Sequence, residues 1–142
     1  MNSDIRLLNE IYHNSITAIN AITVMLTKTH EGNLYDCLFS QMVEYRKIAT
    51  KAEELLKSHN RTPDEIHFID KSGFRVAVNL AGFGKVSPHR LAKILIHGST
   101  EGIFEIAGYV NNCADASQQS RHLAYDLIDV EEGNIEKLNN FL

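Results

Sequence analysis

Four long segments of the chain repeat apolar residues at alternating spacings of three and four, and few glycines or prolines interrupt them. This spacing places the apolar side chains on one face of an α-helix. The predicted helices are A, Asp4–Lys28; B, Asn33–Lys57; C, Ser87–Val110; and D, from Asp115 to the C-terminus. The sequence therefore predicts an all-α protein in which each helix buries one face against the others.

The lengths of the connections predict how these helices are arranged. Those between A and B and between C and D are short, but 29 residues, His59–Ser87, separate B from C. Short connections join antiparallel neighbours, whereas a long one can cross the bundle. We predict a ferritin-like four-helix bundle of two antiparallel helical hairpins joined by a long crossover. Thr62, Pro63 and Glu65 indicate a capped short extra helix in the crossover, to about Ala81.

Several residues mark the predicted ends of the helices. Gly32 suits the left-handed position that follows the end of helix A. Ser87 and Pro88 are typical of a capping residue followed by the first helical position. Asp115 and Gln118 have the spacing of a cap and its reciprocal partner at the start of helix D.

Composition and charge narrow the classes of protein. The chain has 142 residues, typical of one domain, so we predict a single domain over 1–142. Its 14 Lys and Arg against 18 Asp and Glu give a net charge of -4, which disfavours nucleic-acid or anionic-membrane partners. Cys37 and Cys113 are too few for a disulfide framework. No stretch approaches the roughly 18 apolar residues of a membrane span, and a cytoplasmic location is expected.

Metal ligands are expected at fixed positions in carboxylate bundles, where Glu and Glu-x-x-His side chains point inward. The candidate ligands here are Glu44, Glu101, Glu131 and His97. Lys47 and Asn134 stand at the two expected histidine positions, and neither is a good ligand for iron or manganese. We therefore predict a degenerate metal site and no cofactor, with iron or manganese binding as the alternative.

A literal Glu-x-x-His pair occurs on helix A, as Glu10 and His13. It lies on the side away from the apolar stripe that includes Leu8 and Ile11. We predict that this pair is exposed to solvent.

Two glycines four residues apart interrupt the middle of helix C. Each glycine in a helix interior costs about 1 kcal/mol relative to alanine, so a compensating gain is expected. A smooth face permits close approach of another helix, within the bundle or across a dimer, or leaves room for a small ligand. The predicted ligand or close-packing face comprises Gly98, Ser99, Thr100, Gly102, Gln41 and Asn134.

Four stretches resemble small bacterial ferritin-like four-helix-bundle proteins, many of which are domains of unknown function. The resemblance covers nearly the whole chain and is carried by Leu7–Tyr12, Gln41–Lys47, Gly98–Gly102 and Glu131–Leu138. It implies a ferritin-like fold, in a group that includes metal oxidases, stress proteins and members without known activity. The metal pattern of the group transfers to Glu101, Glu131 and Glu44.

These observations favour a non-catalytic binding or structural homo-oligomer. A dimer is predicted from Gly98 and Gly102 and from the apolar residues Phe39 and Phe104. The first alternative is a di-iron or di-manganese redox or metal-binding protein. The second is a small-ligand sensor with a pocket at helix C, over which the crossover helix closes.

Overall fold

The computed structural model describes residues 2–65, 80 and 84–142. Within these residues the predicted helices A to D are four α-helices, and there is no β-strand. They are α1, Ser3–Leu26; α2, Gly32–Ser58; α3, Pro88–Asn112; and α4, Gln118–Leu138, which a 3₁₀ turn at Asn139–Phe141 follows. The prediction of an all-α chain with four long helices is confirmed. Most of the extra helix predicted in the long connection lies outside the described residues.

The four helices pack as a bundle around one continuous apolar core. Helix α1 packs along α2, α3 packs along α4, and α4 also contacts α1 and α2. Fully buried side chains come from every helix, including Leu8, Ile11, Leu38, Leu91 and Leu127. Each such side chain stabilises the fold by about 1.5–3 kcal/mol through burial. No helix in the described part of the chain is long and apolar enough to cross a membrane.

Hydrogen bonds between residues distant in sequence show which helix ends meet. The backbone N–H of Val86 donates to the carbonyl oxygen of Lys28 at 2.9 Å, so α3 begins beside the end of α1. At the other end of α1, the N–H of Ser117 donates to Oδ1 of Asp4 at 2.7 Å. The hydroxyl of Ser3 donates to Oδ1 of Asp115 at 2.6 Å. Helix α4 therefore begins beside the start of α1.

The predicted role of Gly32 is wrong. Gly32 is the first residue of α2, and no glycine in the described ranges has a positive φ. The carboxylate of Glu31 caps α2 instead, accepting the backbone N–H groups of Asn33 at 3.1 Å and Leu34 at 2.6 Å. Helix α1 ends at Leu26 with Thr27 as its C-cap, so Gly32 is too far along the chain to be the left-handed residue that follows this helix.

The predicted cap of α3 is confirmed and that of α4 is wrong. Oγ of Ser87 accepts the N–H of Arg90 at 3.2 Å, with Pro88 in the first helical position. Ser117, rather than Asp115, caps α4 by accepting the N–H of Ser120 at 3.2 Å. Asp115 is bonded to Ser3 of α1, so its carboxylate is used between helices.

The prediction that His13 is exposed is also wrong. His13 is buried, and its Nε2 donates to the carbonyl oxygen of Asp64 at 2.9 Å. One turn earlier, buried Asn9 donates to the carbonyl oxygen of Ile5 at 3.0 Å and accepts the N–H of Asp64 at 2.8 Å. The start of the long connection covers this side of α1, so polar residues that α1 alone would expose become buried.

Asn9→Ala is expected to lower the free energy of unfolding by about 1 kcal/mol, because the N–H of Asp64 loses its partner in a partly buried position. Urea denaturation followed by circular dichroism measures the change. Asn111 is exposed in the last turn of α3, so Asn111→Ala is the control and should have little effect. Equal effects of the two substitutions would show that the Asp64 contact does not stabilise the fold.

Candidate functional site

Polar side chains are buried where α2, α3 and α4 face one another. Glu131 and Asn134 on α4 are 2% and 1% exposed. Their three-residue spacing places both on one side of the helix. Tyr45 of α2 and Ser99 of α3 are buried as well. Together with Gly102 of α3 these residues form what we call the Glu131 cluster: Tyr45, Ser99, Gly102, Glu131 and Asn134.

The absence of a side chain at Gly102 makes room for the carboxyl group of Glu131. A Cβ atom at Gly102 would lie 2.5 Å from Oε1 and 2.8 Å from Oε2 of Glu131, closer than packed atoms can approach. This contact accounts for a glycine in the interior of α3, where it costs about 1 kcal/mol relative to alanine. The carboxyl group is therefore packed directly against the backbone of α3.

The hydroxyl of Tyr45 lies at the centre of the cluster. It interacts with the side chains of Ser99 and Asn134 and with the carboxyl group of Glu131. Burial, followed by the charge of Glu131, raises the pKa of Tyr45 above its already high usual value. Tyr45 therefore stays protonated and can donate its hydrogen to the carboxyl group.

Glu131 is held in its neutral form. Burial, and secondly the negative charge of Glu105, raise the pKa of Glu131 from 4.5 to about 9, although the hydrogen bond from Tyr45 acts in the opposite direction. At neutral pH the folded protein therefore contains a protonated carboxylic acid in its core. Such strongly shifted groups are found more often at functional sites than elsewhere.

The cluster retains hydrogen-bonding capacity. Oε2 of Glu131 and both amide atoms of Asn134 are buried without a hydrogen-bond partner among the described residues. The neighbouring Tyr45 hydroxyl thus approaches the Asn134 amide without reaching hydrogen-bond geometry. Because unpaired buried polar atoms are rare and costly, this position is suited to one more polar group, such as a water molecule or part of a ligand.

A known structure shares this arrangement of helices. The chain is similar in fold to a DUF305 fragment. The crystal structure of that fragment, from Deinococcus radiodurans, matches with a TM-score of 0.79 over 99% of this chain and 95% of that chain, at 12% sequence identity. The expected likeness to a bacterial helical domain of unknown function is confirmed to this extent. At this identity the likeness shows the fold alone.

Comparison with known sequences adds no assignment. No protein-family model matches the chain. No curated protein matches it either.

The predicted metal ligands do not lie together. Glu131 is buried, whereas Glu101 and His97 are exposed on α3. Oε1 of Glu44 forms an ion pair with Nζ of Lys137 at 3.7 Å. Across residues 2–65, 80 and 84–142, no three His, Cys, Asp or Glu side chains are placed to hold a metal ion. These residues therefore do not fit the metal centre that the ferritin-like resemblance implies.

Part of the predicted ligand face does lie together. Ser99, Gly102 and Asn134 all belong to the Glu131 cluster. Gln41 is buried one turn before Tyr45 on α2. Its Nε2 donates to Sγ of Cys37 at 3.3 Å, and this sulfur is a weak acceptor.

Within the bundle, Gly98 and Gly102 do not form one packing face, because Gly102 is buried and Gly98 is not. Gly98 is exposed, and a Cβ atom there would meet no atom within 4 Å. The hydroxyl of Thr100 donates to the carbonyl oxygen of Ile96 at 2.8 Å, within its own helix. Of these α3 positions, Ser99 and Gly102 are the two that are buried. The two glycines are offset by about 40° around the helix axis, which places Gly98 at the exposed margin of the side on which Gly102 is buried.

Tyr45 is the residue of the cluster that the sequence did not single out as a candidate. A buried tyrosine usually finds a hydrogen-bond partner for its hydroxyl. Its position four residues after Gln41, on the side of helix B that carries apolar residues, was the available signal. The pairing itself depends on how α2 is aligned with α4, which the period of one helix does not specify.

Proposed function

We propose that the protein is a non-catalytic bundle protein that acts in binding or as a structural homo-oligomer. We also propose that the carboxyl group of Glu131, a ligand of the predicted degenerate metal site, carries a proton instead of binding a metal ion. The observation that carries the proposal is Glu131, a buried carboxyl group with a pKa raised to about 9. Within the cluster its neighbours are the neutral side chains of Tyr45, Ser99 and Asn134, and the nearby negative charge of Glu105 further disfavours its ionised form. A cytoplasmic location without nucleic-acid or membrane partners is part of the proposal.

The chemistry of these neighbours supports a proton rather than a metal ion. Two-metal carboxylate sites in bundles share several carboxylates and imidazoles between the ions. The Glu131 cluster supplies one carboxyl group, two hydroxyls and an amide, and a divalent ion there would leave an uncompensated charge in the core. Protonation of Glu131 removes the charge without another ligand.

We further propose that the helices have ferritin-like connectivity, with a crossover between α2 and α3. Helix α2 contains 27 residues, which span about 40 Å. It starts next to the α1–α2 turn and ends at Ser58, yet Val86 is hydrogen-bonded to Lys28 beside that turn. This supports a connection that returns along the bundle, so that α2 and α3 run in the same direction.

Metal analysis tests the proposal. After anaerobic incubation with Fe(II) or Mn(II) and removal of loosely bound ions, the protein is expected to retain no stoichiometric metal. Elemental analysis of the desalted protein measures the retained ions. About two ions per chain, lost in the Glu131→Ala variant, would contradict the proposal and support the redox alternative.

A small-ligand site in the same cluster is the second candidate function. The unpaired atoms of Glu131 and Asn134 favour it, because a ligand could supply their missing hydrogen bonds. Native mass spectrometry of the purified protein tests this alternative. A bound small molecule that is present in the unmodified protein and absent from Asn134→Leu would support it; the bare mass of the chain in both would count against it.

A further inference from the structure

Large apolar side chains are exposed in a row along the first half of α2. Tyr35 is 42% exposed, Phe39 49% and Val43 37%. Because they are four residues apart, they lie on one side of the helix. We call these three residues the α2 face. Contiguous exposed apolar groups of this kind mark contact surfaces more often than single exposed residues do.

Opposite charges flank the α2 face. Asp36 lies near its start, and Arg46 and Lys47 lie just beyond its end. All three are exposed. Asp36 thus lies at one end of the apolar residues and Arg46 and Lys47 at the other, while the neighbouring Glu44 is ion-paired with Lys137 of α4.

We infer that the α2 face binds the same face of a second copy of this chain, with the two α2 helices antiparallel and a two-fold axis at the level of residue 41. In this register Phe39 packs against the partner's Val43. Asp36 faces the partner's Arg46, and Tyr35 covers the aliphatic part of the partner's Lys47. This interface specifies the homo-oligomer of the proposed function and rests on that part of it.

Charge complementarity selects both the partner and the direction. A parallel pair would place Asp36 against the partner's Asp36 and Arg46 against the partner's Arg46, and like charges in contact repel. The antiparallel pair brings opposite charges together, and two-fold symmetry repeats each favourable contact. The same surface on a second copy is therefore complementary to itself in apolar shape and in charge.

Two phenylalanine variants locate the interface. Phe39→Glu puts a charge into the centre of the α2 face and is expected to raise the dimer Kd at least about tenfold. Phe104 on α3 is 73% exposed and lies outside this face, so Phe104→Glu is the matched control and should leave Kd unchanged. Sedimentation equilibrium over a range of concentrations measures Kd, and circular dichroism checks that each variant is folded.

Two charge reversals test the register. Asp36→Lys or Arg46→Asp alone places like charges opposite each other and is expected to weaken the dimer about fivefold at low salt. The double variant restores opposite charges in the antiparallel register and is expected to recover the Kd of the unmodified protein. In a parallel register the double variant would keep the like-charge contacts and would show no such recovery.

The outcomes separate this inference from the proposed function. A protein that stays monomeric at every concentration overturns both the interface and the homo-oligomer. A dimer that Phe104→Glu disrupts and Phe39→Glu does not keeps the homo-oligomer and overturns the α2 interface. Loss with Phe39→Glu and with each single reversal, followed by recovery in the double variant, supports the antiparallel α2 pair.

Discussion

Glu131→Gln is expected to increase the free energy of unfolding by about 3 kcal/mol at pH 7. The unfolded chain ionises Glu131 near its usual pKa of 4.5, whereas the folded protein holds the proton until about pH 9. Folding at pH 7 must therefore include protonation of this group, at a cost of about 1.4 kcal/mol for each pH unit above 4.5. Glutamine has nearly the same shape and is never ionised, so it avoids the cost.

The sign of the effect gives the expected pH dependence. Below pH 4.5 the carboxyl group is protonated in both states, and the glutamine variant gains nothing from the change in charge. Between pH 4.5 and about 9 the unfolded state of the unmodified protein is increasingly favoured. The difference between the two proteins should therefore grow with pH across this window and stay constant above it.

Urea denaturation at several pH values measures this difference. Glu132 is the next residue on α4 and is exposed, so Glu132→Gln is the control and should not remove the pH dependence. A Glu131→Gln variant that is less stable than the unmodified protein at pH 7 would show that the folded protein stabilises Glu131 in its ionised form. A cation at the Glu131 cluster would then be the explanation to test.

Gly102→Ala is expected to destabilise the protein by about 2 kcal/mol. The added methyl group would lie 2.5 Å from Oε1 of Glu131, so the carboxyl group must leave its place beside Tyr45. The gain in helix propensity of about 1 kcal/mol offsets only part of this cost. Gly98→Ala is the matched control, because open space surrounds that position and the same gain should stabilise the protein.

Variants of Glu131 test whether its carboxyl group causes the destabilisation by Gly102→Ala. In a Glu131→Ala background the carboxyl group is gone, and Gly102→Ala should become neutral or stabilising. In a Glu131→Gln background the side chain keeps its length, and the cost should remain. Chemical denaturation of the single and double variants measures the coupling free energy. A cost that is the same in all three backgrounds would attribute it to another neighbour of Gly102.

The helices could be predicted because burial of one face controls the spacing of apolar residues along each of them. The cap at Ser87 and Pro88 could also be predicted, because it depends only on neighbouring residues in the first turn of α3. Gly32 was misassigned because α1 ends earlier, at Leu26, and α2 begins at Gly32 itself, directly after the capping carboxylate of Glu31. The burial of His13 depends on the path of the connection that contains Asp64. Neither fact follows from the period of a single helix.

The candidate site could be predicted only in separate parts. Ser99, Gly102 and Asn134 were assigned to a ligand or packing face, and Glu131 to a degenerate metal site. The structure places them in one cluster because of the register between α3 and α4, which no spacing within one helix specifies. It also turns Glu101 toward solvent, since adjacent residues differ by about 100° around the helix axis and Gly102 faces inward.

Because of the contact between the starts of α1 and α4, the backbone amide of Ser117 can be used to detect when this contact breaks. The N–H of Ser117 donates to the carboxylate of Asp4, so its exchange with deuterium from the solvent requires this hydrogen bond between the two helix starts to break. Burial opposes ionisation of Asp4, but hydrogen bonds from Ser117 and Ser120 hold its pKa below the usual value. Acidification through that lowered pKa removes the stabilising charge. The exchange rate of this single proton thus reports on the contact between the two helix starts, which a spectroscopic average over the whole bundle would not resolve.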